Sequence, residues 1–266
     1  MAVILMAHVV NYVRKEREEH NMVISAKTDV GTKRTVNQDR AAYKIRGKEL
    51  LGVLCDGMGG HLAGEVASTL VSHYIIDHFF DHAPFENDES IHAWITSLLL
   101  HANDLVNRES DAHREYQGMG TTVVICYRDG KNTYISHVGD SRAYLYNENL
   151  KQITVDDTFV NELLKRGLIN EEEAMHHPKR NVLVQAIGVK EAIRISFYKI
   201  EEDYHAILLC SDGLYNSLTS DQIEEILQMS LSVDEKTERL IQSANKFGGL
   251  DNIGVLLIEK GESEDE

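Results

Sequence analysis

The segment that decides the fold is Leu50-Leu51-Gly52-Val53-Leu54-Cys55-Asp56-Gly57, an apolar, β-rich run that ends in an aspartate and a glycine. Two other apolar runs end in the same way, residues 206–211 at Asp212 and residues 134–139 at Asp140. A strand that is buried along its length and ends in a carboxylate places that charge at the edge of its sheet. Several such strands would bring several negative charges together, and their mutual repulsion would have to be offset by cations.

Five aspartates occupy positions from which a carboxylate can face a metal ion. They are Asp39, Asp56, Asp140, Asp212 and Asp251. Ligand sets made only of oxygen atoms suit hard divalent ions such as Mg²⁺ or Mn²⁺. The sequence therefore predicts a divalent-metal site at the end of a β-sheet.

The length and charge of the chain limit the classes of protein to which it can belong. With 266 residues it can form one domain with a sizeable core. Its formal net charge of −16 disfavours a general binder of nucleic acids or of anionic membranes. Phosphorylated substrates are not excluded, because bound metal ions reverse the local field. The three cysteines, Cys55, Cys126 and Cys210, lie in apolar runs without zinc-site spacing, which predicts buried reduced thiols and a cytoplasmic protein.

The two ends of the sequence differ in composition from the rest. Residues 1–21 combine an apolar start with a charged stretch, and we interpret them as an extension of uncertain role, not as a signal peptide. Residues 22–260 are predicted to form the main domain, and residues 261–266 an acidic tail. No apolar stretch approaches the roughly 20 residues of a membrane-spanning helix.

The hydrophobic pattern predicts an α+β fold with two packed antiparallel β-sheets flanked by helices. Strands are expected near residues 22–28, 41–46, 50–55, 121–128, 132–138, 142–147, 193–199, 205–210 and 253–259. Helices are expected near residues 62–82, 90–109, 220–230 and 234–247. Asp129-Gly130 predicts a hairpin turn, Thr219 or Ser220 a helix cap, and residues 156–188 a helical insert beside the main body.

The motifs of the chain occur in an order that is typical of one enzyme family. The segments are 29–39, Asp56-Gly57-Met58-Gly59-Gly60-His61, Gly118-Met119-Gly120-Thr121-Thr122, Val138-Gly139-Asp140-Ser141-Arg142, 177–181, Ser211-Asp212-Gly213 and Leu250-Asp251-Asn252. In this series the chain closely resembles the metal-dependent serine/threonine protein phosphatases of type 2C, the PPM family, in their small bacterial form. The resemblance extends from about Val23 to Glu259.

The resemblance implies a centre with two divalent ions, Mn²⁺ or Mg²⁺, which share a water or hydroxide that attacks phosphorus. Asp56 matches the carboxylate that bridges both ions, and Gly57 the backbone carbonyl ligand. Asp212 and Asp251 match further ligands. By the same resemblance Asp39 is a ligand acting through water, and Asp140 with Asp212 holds a third, weaker ion.

The resemblance also assigns two further roles near the metal centre. Arg34 matches the arginine that holds the phosphate oxygens. For His61 two interpretations stay open. In the first it donates a proton or contacts the metal ligands, and in the second it only packs at the start of a helix.

The chain departs from the wider family at three places. Gln38 stands where many relatives carry glutamate, so we expect it to hold a metal-bound water. Met58 stands where the animal enzymes carry a histidine proposed to protonate the leaving group. Asp157, in Asp156-Asp157-Thr158, stands where relatives often have a histidine, which leaves the contacts of the insert open.

The hypothesis that follows is a Mn²⁺- or Mg²⁺-dependent phosphatase for phosphoserine and phosphothreonine in proteins, reversing a bacterial Ser/Thr kinase. Its expected partners are phosphoproteins. We expect no nucleic acid partner and no membrane insertion, and we expect a monomer. A catalytically silent binding module and a two-metal nuclease are the alternatives, disfavoured by the complete aspartate set and by the charge of −16 respectively. A general role and a dedicated role on an anti-sigma-factor antagonist both stay open.

Overall fold

The computed structural model describes residues 22–60 and 62–261. The strands are β1 Met22–Asp29, β2 Asp39–Arg46, β3 Glu49–Met58, β4 Gly120–Thr121, β5 Val123–Arg128, β6 Thr133–Val138, β7 Arg142–Tyr146, β8 Leu150–Gln152, β9 Ser196–Ile200, β10 Ala206–Cys210 and β11 Ile253–Lys260. The helices are α1 Ala63–Asp77, α2 Asp88–Ala112, α3 Phe159–Lys165, α4 Glu171–Met175, α5 Asp212–Tyr215, α6 Ser220–Leu227 and α7 Val233–Lys246.

Two antiparallel sheets form the centre of the molecule. The first sheet has the strand order β1-β11-β10-β7-β8, and the second has the order β2-β3-β5-β6-β9 with β4 paired to the end of β3. Every named pairing is antiparallel. This arrangement confirms the α+β fold class and the two packed sheets that the hydrophobic pattern predicts.

Three apolar cores hold four layers together. Alternate residues of β3 face opposite sides, so that Leu54 packs between the two sheets and Val53 packs under the helices. Helices α1 and α2 cover the second sheet, while α6 and α7 cover the first. The three cysteines are buried and unpaired, as predicted. Among the described residues, none of the helices is both long and apolar enough to cross a membrane.

The element boundaries differ from the predicted ones in places that matter for the site. Strand β2 begins at Asp39, two residues before the predicted start, which places Asp39 directly opposite Asp56 in the sheet. Helix α1 ends at Asp77 and continues as a short 3₁₀ turn over residues 78–80. The pattern did not predict β8 or α5, which are only three and four residues long.

Local sequence signals explain the turns and helix starts. Asp129 accepts hydrogen bonds from the backbone of Lys131 and Asn132, at 2.8 and 2.7 Å, and closes the predicted β5–β6 hairpin. Thr219 caps α6 through a reciprocal pair of hydrogen bonds with Gln222, as predicted.

The direction of the strands places the sequence motifs at one end of the sandwich. β3 and β10 both run towards this end, where Asp56 lies within the last three residues of β3 and Asp212 follows β10 by two residues, while β11 starts there, next to Asp251. The β5–β6 hairpin lies at the opposite end, because Arg128 pairs with Leu50 at the start of β3.

Candidate active site

A cavity of about 420 Å³ opens at the end of the sandwich where the predicted metal ligands meet. Arg34 and Gly57 line it, together with four of the five predicted aspartates. These four are Asp56, Asp140, Asp212 and Asp251. Asp39, the fifth, is completely buried next to Asp56. The structure therefore brings together acidic residues that lie more than 200 positions apart in the sequence.

Asp39 and Asp56 form a pair of neighbouring carboxyl groups. One oxygen of Asp39, Oδ2, accepts a hydrogen bond of 2.6 Å from the Ser211 hydroxyl. The other, Oδ1, is shielded from water and has no hydrogen-bond donor among the described residues. An oxygen buried without a donor or cation is costly, so the position of Oδ1 favours a bound cation or a metal-bound water nearby.

Burial and like charges raise the pKa of the carboxyl groups in this cluster. Burial raises the pKa of Asp39 to about 7, opposed by the Ser211 hydrogen bond and assisted by the charges of Asp212 and Asp251. Burial followed by the charge of Asp39 raises the pKa of Asp56 well above its ordinary value. Burial also raises the pKa of Asp140 to about 7, and that of Asp212 to about 6. These carboxylates repel one another, and a divalent cation between them would remove that repulsion.

Arg34 lies at the rim of the cavity and is tied to one of the acidic residues. Its Nη2 donates a hydrogen bond of 2.8 Å to Asp251 Oδ2, and about half of the arginine side chain is exposed. The described residues provide no acceptor for its remaining N–H groups. The guanidinium group is therefore positioned by Asp251 while several of its donors stay available to an anion.

Asn252 holds the loop that carries Arg34. Its Nδ2 donates to the backbone carbonyls of Val30 and Val36, each at 2.9 Å, and its Oδ1 accepts from the backbone of Gln38. These three bonds fasten the β1–β2 loop to the start of β11. Asn252 thereby sets where Arg34 sits relative to Asp251.

The backbone of Asp56 is fixed by two threonines. Its N–H donates to Thr122 Oγ1 at 3.0 Å, and its carbonyl accepts from the Thr122 backbone and from Thr121 Oγ1 at 2.9 Å each. Thr122 Oγ1 in turn contacts the Ser141 hydroxyl at 2.6 Å. The Asp56 carboxylate takes part in none of these bonds, so it remains available to the cavity.

Asp140 and Asp212 line the same cavity, and a layer of aromatic and basic side chains lies beside them. The Tyr215 hydroxyl donates to the Asp140 carbonyl at 3.1 Å, and the Arg142 guanidinium lies 3.6 Å above the Tyr215 ring. Arg142 also makes a fork of hydrogen bonds to both oxygens of Asp156. This layer orients the Asp140 loop relative to the start of α5.

Asp157 stands where relatives often have a histidine, and its carboxylate attaches the insert to the main body. Its Oδ2 accepts from the Gly139 backbone at 3.1 Å, and its Oδ1 accepts from Arg194 at 3.0 Å. The same Arg194 nitrogen donates to Glu162 on α3 at 2.8 Å. A buried carboxylate thus joins the loop before Asp140 to the insert.

The carboxylate and carbonyl oxygens of the cavity suit hard divalent ions, but these oxygens do not surround an ion on all sides. Among residues 22–60 and 62–261, no three His, Cys, Asp or Glu side chains converge into a group that could hold an ion by themselves. Backbone carbonyls and waters would have to complete the coordination, as is usual for Mg²⁺ and Mn²⁺. The shared cavity, the mutual repulsion of the carboxylates and the orphaned Asp39 oxygen support that fit.

The shifted carboxyl groups predict a stability that depends on pH in metal-free protein. Because folding raises the pKa of Asp39 above the value of about 4 of an unfolded aspartate, its contribution to stability is fully present below that pH. The contribution is lost as the pH rises through about 7. We expect the Tm of the protein in a chelator to fall between pH 5 and pH 8 by on the order of 10 °C, and Mn²⁺ to restore it at pH 8.

Thermal unfolding of Asp39→Asn provides the comparison for this prediction. The amide keeps an acceptor for Ser211 but removes the charge, so its Tm should depend less on pH. Asp104→Asn on the exposed face of α2 removes a charge outside the site and should follow the native protein. Identical pH profiles for all three proteins would contradict the role of the carboxylate cluster.

The structure leaves one predicted site residue undescribed and adds residues that the sequence analysis did not assign to the site. His61 lies outside the described residues, so its role stays a prediction. Gln38 and Met58 both line the cavity, next to Gly57. Sequence reasoning missed Asn252 and Thr122 as positioning residues, and it missed Asn181 and Leu183, which reach the cavity from the insert. Thr122, Asn181 and Asn252 lie in motif segments of the sequence, which could have signalled them, whereas Leu183 lies in none.

Comparisons with known proteins identify the family. Residues 31–246 match the family model described as protein phosphatase 2C. Protein phosphatase PhpP of Streptococcus pneumoniae is 38% identical over 249 residues, which cover 92% of this chain and 100% of that protein. The solved structure of the S. agalactiae serine/threonine phosphatase superposes with a TM-score of 0.84 at 33% identity, covering 91% of this chain and 100% of that one.

A further solved structure bears on the metal site. It is the catalytic domain of the serine/threonine protein phosphatase PstP in complex with two manganese ions, with a TM-score of 0.76 and 33% identity over 91% of this chain and 99% of that one. These matches confirm the resemblance noted in the sequence. The family model spans well over half of the residues, and the chain therefore belongs to the protein phosphatase 2C family, a family of protein phosphatases.

Proposed function

We propose that this protein hydrolyses phosphoserine and phosphothreonine in proteins with the help of two Mn²⁺ or Mg²⁺ ions, and that it reverses the action of a bacterial Ser/Thr kinase. The observation that carries the proposal is the single cavity that joins four carboxylates to an arginine with available donors. The carboxylates can hold cations, and the arginine can hold a phosphoryl group. Family membership and the manganese-bound relative support the same reaction.

Each residue of the cavity has a task in this proposal. Asp56, Asp212 and Asp251 would hold two ions with the Gly57 carbonyl, and Asp39 would act through water. Bound ions supply the chemistry by lowering the pKa of a water and by offsetting the charge of the phosphoryl group. Arg34 would hold non-bridging oxygens of the phosphoryl group, so that the serine or threonine oxygen that leaves is opposite the attacking water. Asp140, with Asp212, is the proposed place of a third, weaker ion.

The substrate protein has room beside the phosphoryl site. A second cavity of about 310 Å³ adjoins the first, shares Asp140, Asn181 and Asp212 with it, and extends under α3 and α4 of the insert. We propose that residues 156–188 form a flap of the phosphatase domain, residues 22–260, and that this flap contacts the chain that bears the phosphoserine or phosphothreonine.

Hydrolysis of a phosphothreonine peptide tests the function. The purified protein is expected to release phosphate in the presence of Mn²⁺ or Mg²⁺ and to lose this activity in EDTA, because the carboxylates alone cannot activate water or neutralise the phosphate. Readdition of Mn²⁺ should restore the rate. A protein that binds Mn²⁺ yet stays inactive over a broad range of Mn²⁺ concentrations would instead indicate a catalytically silent binding module.

A further inference from the structure

A third cavity adjoins the active-site cavity at Arg34. It has a volume of about 300 Å³, and it shares Arg34, Gln38 and Gly59 with the active-site cavity. We call it the side pocket and define it by residues of the β1–β2 loop and of the turn from β3 to α1. These residues are Arg34, Thr35, Val36, Gln38, Gly59 and Leu62.

Val36 and Leu62 give the side pocket an apolar wall. Leu62 is 55% exposed, and Val36 is partly buried. Thr35 and Gln38 are polar but neutral, and Arg34 carries the one charge among the lining residues that the structure describes. Arg34 would repel a cationic side chain in the pocket. A carboxylate would compete with the phosphoryl group for Arg34 and lose hydration against the apolar wall, so the composition favours an apolar side chain.

The position of Leu62 in the chain is a second and independent observation. Leu62 directly precedes α1, where serine, threonine, aspartate and asparagine are preferred because their side chains accept hydrogen bonds from the first turn. Its side chain makes no capping hydrogen bond. Departures from local sequence rules are concentrated at functional sites. A leucine that forms no cap and stays largely exposed beside a cavity therefore indicates a surface that a ligand covers.

Both apolar residues of the wall are held by their backbones. The Val36 carbonyl accepts the hydrogen bond of 2.9 Å from Asn252 Nδ2. The Leu62 carbonyl accepts a hydrogen bond of 3.1 Å from the Val66 N–H at the start of α1. A pocket whose walls are already ordered binds a side chain without the entropic cost of ordering them.

The connection to the active-site cavity determines what can occupy the side pocket. In the proposed function, the active-site cavity holds a phosphorylated residue of a protein, and the two cavities share three lining residues. Successive residues of an extended chain lie roughly 3.3 Å apart. A residue one or two positions from the phosphorylated one is therefore close enough to place its side chain in the side pocket.

We propose that the side pocket binds an aliphatic or aromatic side chain of the substrate, one or two residues from the phosphoserine or phosphothreonine, and that Leu62 is a specificity-determining residue. The inference rests on the proposed function, because the phosphoprotein substrate supplies this side chain. Arg34 then separates the two tasks. The phosphoryl group lies on one side of it, and the apolar side chain lies on the other, against Val36 and Leu62.

A set of phosphothreonine peptides tests the side pocket with the full-length chain and Mn²⁺. Each peptide has serine on both sides of the phosphothreonine, except for one leucine placed one or two positions before or after it. At one of these four positions, leucine is expected to lower KM by about tenfold with little change in kcat, because burial of apolar surface stabilises the bound substrate and the transition state alike. Glutamate or lysine at that position should not lower KM.

Variants of Leu62 show whether this preference comes from the side pocket. Leu62→Asn keeps the size of the side chain but makes it polar, so it should reduce the preference for leucine over serine to about twofold or less. Leu62→Lys should transfer the preference to glutamate. Leu100→Asn is the matched control, because Leu100 is an exposed leucine on α2 that lines none of the three cavities. It should keep the native preference.

Thermal unfolding separates a role in binding from a role in packing. The Tm of Leu62→Asn should equal or exceed that of the native protein, because an exposed leucine is replaced by a residue that is favoured directly before a helix. A clear decrease in Tm would assign Leu62 to packing and overturn the inference.

Non-hydrolysable phosphonate versions of the same peptides distinguish failure of this inference from failure of the proposed function. If no peptide is hydrolysed with Mn²⁺, the proposed function fails, and the Kd values from fluorescence anisotropy still decide whether the side pocket selects leucine over serine; equal or unmeasurable values would overturn the inference. If hydrolysis occurs but leucine is no better than serine at any position, the inference alone is wrong. It is also wrong if glutamate is preferred to leucine, or if Leu62→Asn keeps the native preference.

Discussion

Replacing Asp56 with asparagine is expected to lower kcat for a phosphothreonine peptide by at least about 10³-fold, because a carboxylate in the metal-holding role that we propose for Asp56 would support several kcal/mol of transition-state stabilisation. Asp56 lines the cavity, and the charges of four other aspartates act on its carboxyl group. An amide has one oxygen in place of two and carries no charge. It can neither bridge two ions nor offset their charge.

The substitution should leave the fold intact, which makes the result interpretable. The hydrogen bonds that fix Asp56 use its backbone N–H and carbonyl, and asparagine keeps both. Removal of one of several repelling charges should also leave the Tm of the metal-free protein at pH 8 unchanged or higher. The Tm increase that Mn²⁺ produces in the native protein should be largely lost.

Asp104→Asn is the control for charge alone, because Asp104 lies on the exposed face of α2 away from the cavity. It should retain native kcat and the native response to Mn²⁺. If Asp56→Asn kept most of the activity, Asp56 could not be the bridging ligand, and the assignment of the whole metal centre would have to change.

The sequence predicted the site where local pattern and chain direction determine it together. An apolar run followed by an aspartate indicates both a strand and the place where a charge leaves it. Accordingly, Asp56 lies within the last three residues of β3, and Asp212 lies two residues beyond the end of β10. The β5–β6 hairpin and the cap of α6 were predictable because the deciding residues are neighbours in the chain.

Contacts between distant parts of the chain were not predictable from one sequence. Asn252 donates hydrogen bonds to the carbonyls of Val30 and Val36, more than 200 residues away in the sequence. No feature of the sequence around Asn252 indicates these bonds. Ser211 reads as a residue before a turn, yet it donates to the buried Asp39 across the two sheets.

Gly57 lies where the backbone leaves no room for a side chain. We therefore expect its replacement by alanine to have the second large effect. A Cβ atom at this position would lie 2.0 Å from the Gly64 carbonyl oxygen and 2.8 Å from the Gln38 carbonyl oxygen. Both obstacles are backbone atoms, one at the start of α1 and one in the loop before β2. They cannot move aside without shifting the helix or the loop that borders the cavity.

Gly57→Ala is therefore expected to lower the Tm of the protein by on the order of 5–10 °C, as overpacking costs about 1–3 kcal/mol or more. It should also lower kcat by about 10²-fold, since a displacement near 1 Å next to Asp56 misplaces the metal ligands. Gly60→Ala is the matched control, because, apart from Gly60 itself and its two chain neighbours, no atom of residues 22–60 and 62–261 lies within 4 Å of a Cβ there. Thermal unfolding and peptide hydrolysis should give native values for Gly60→Ala. If Gly57→Ala also kept native Tm and kcat, the close approach of β3 to α1 would not be what holds the carbonyl of Gly57 and the carboxylate of Asp56 in place.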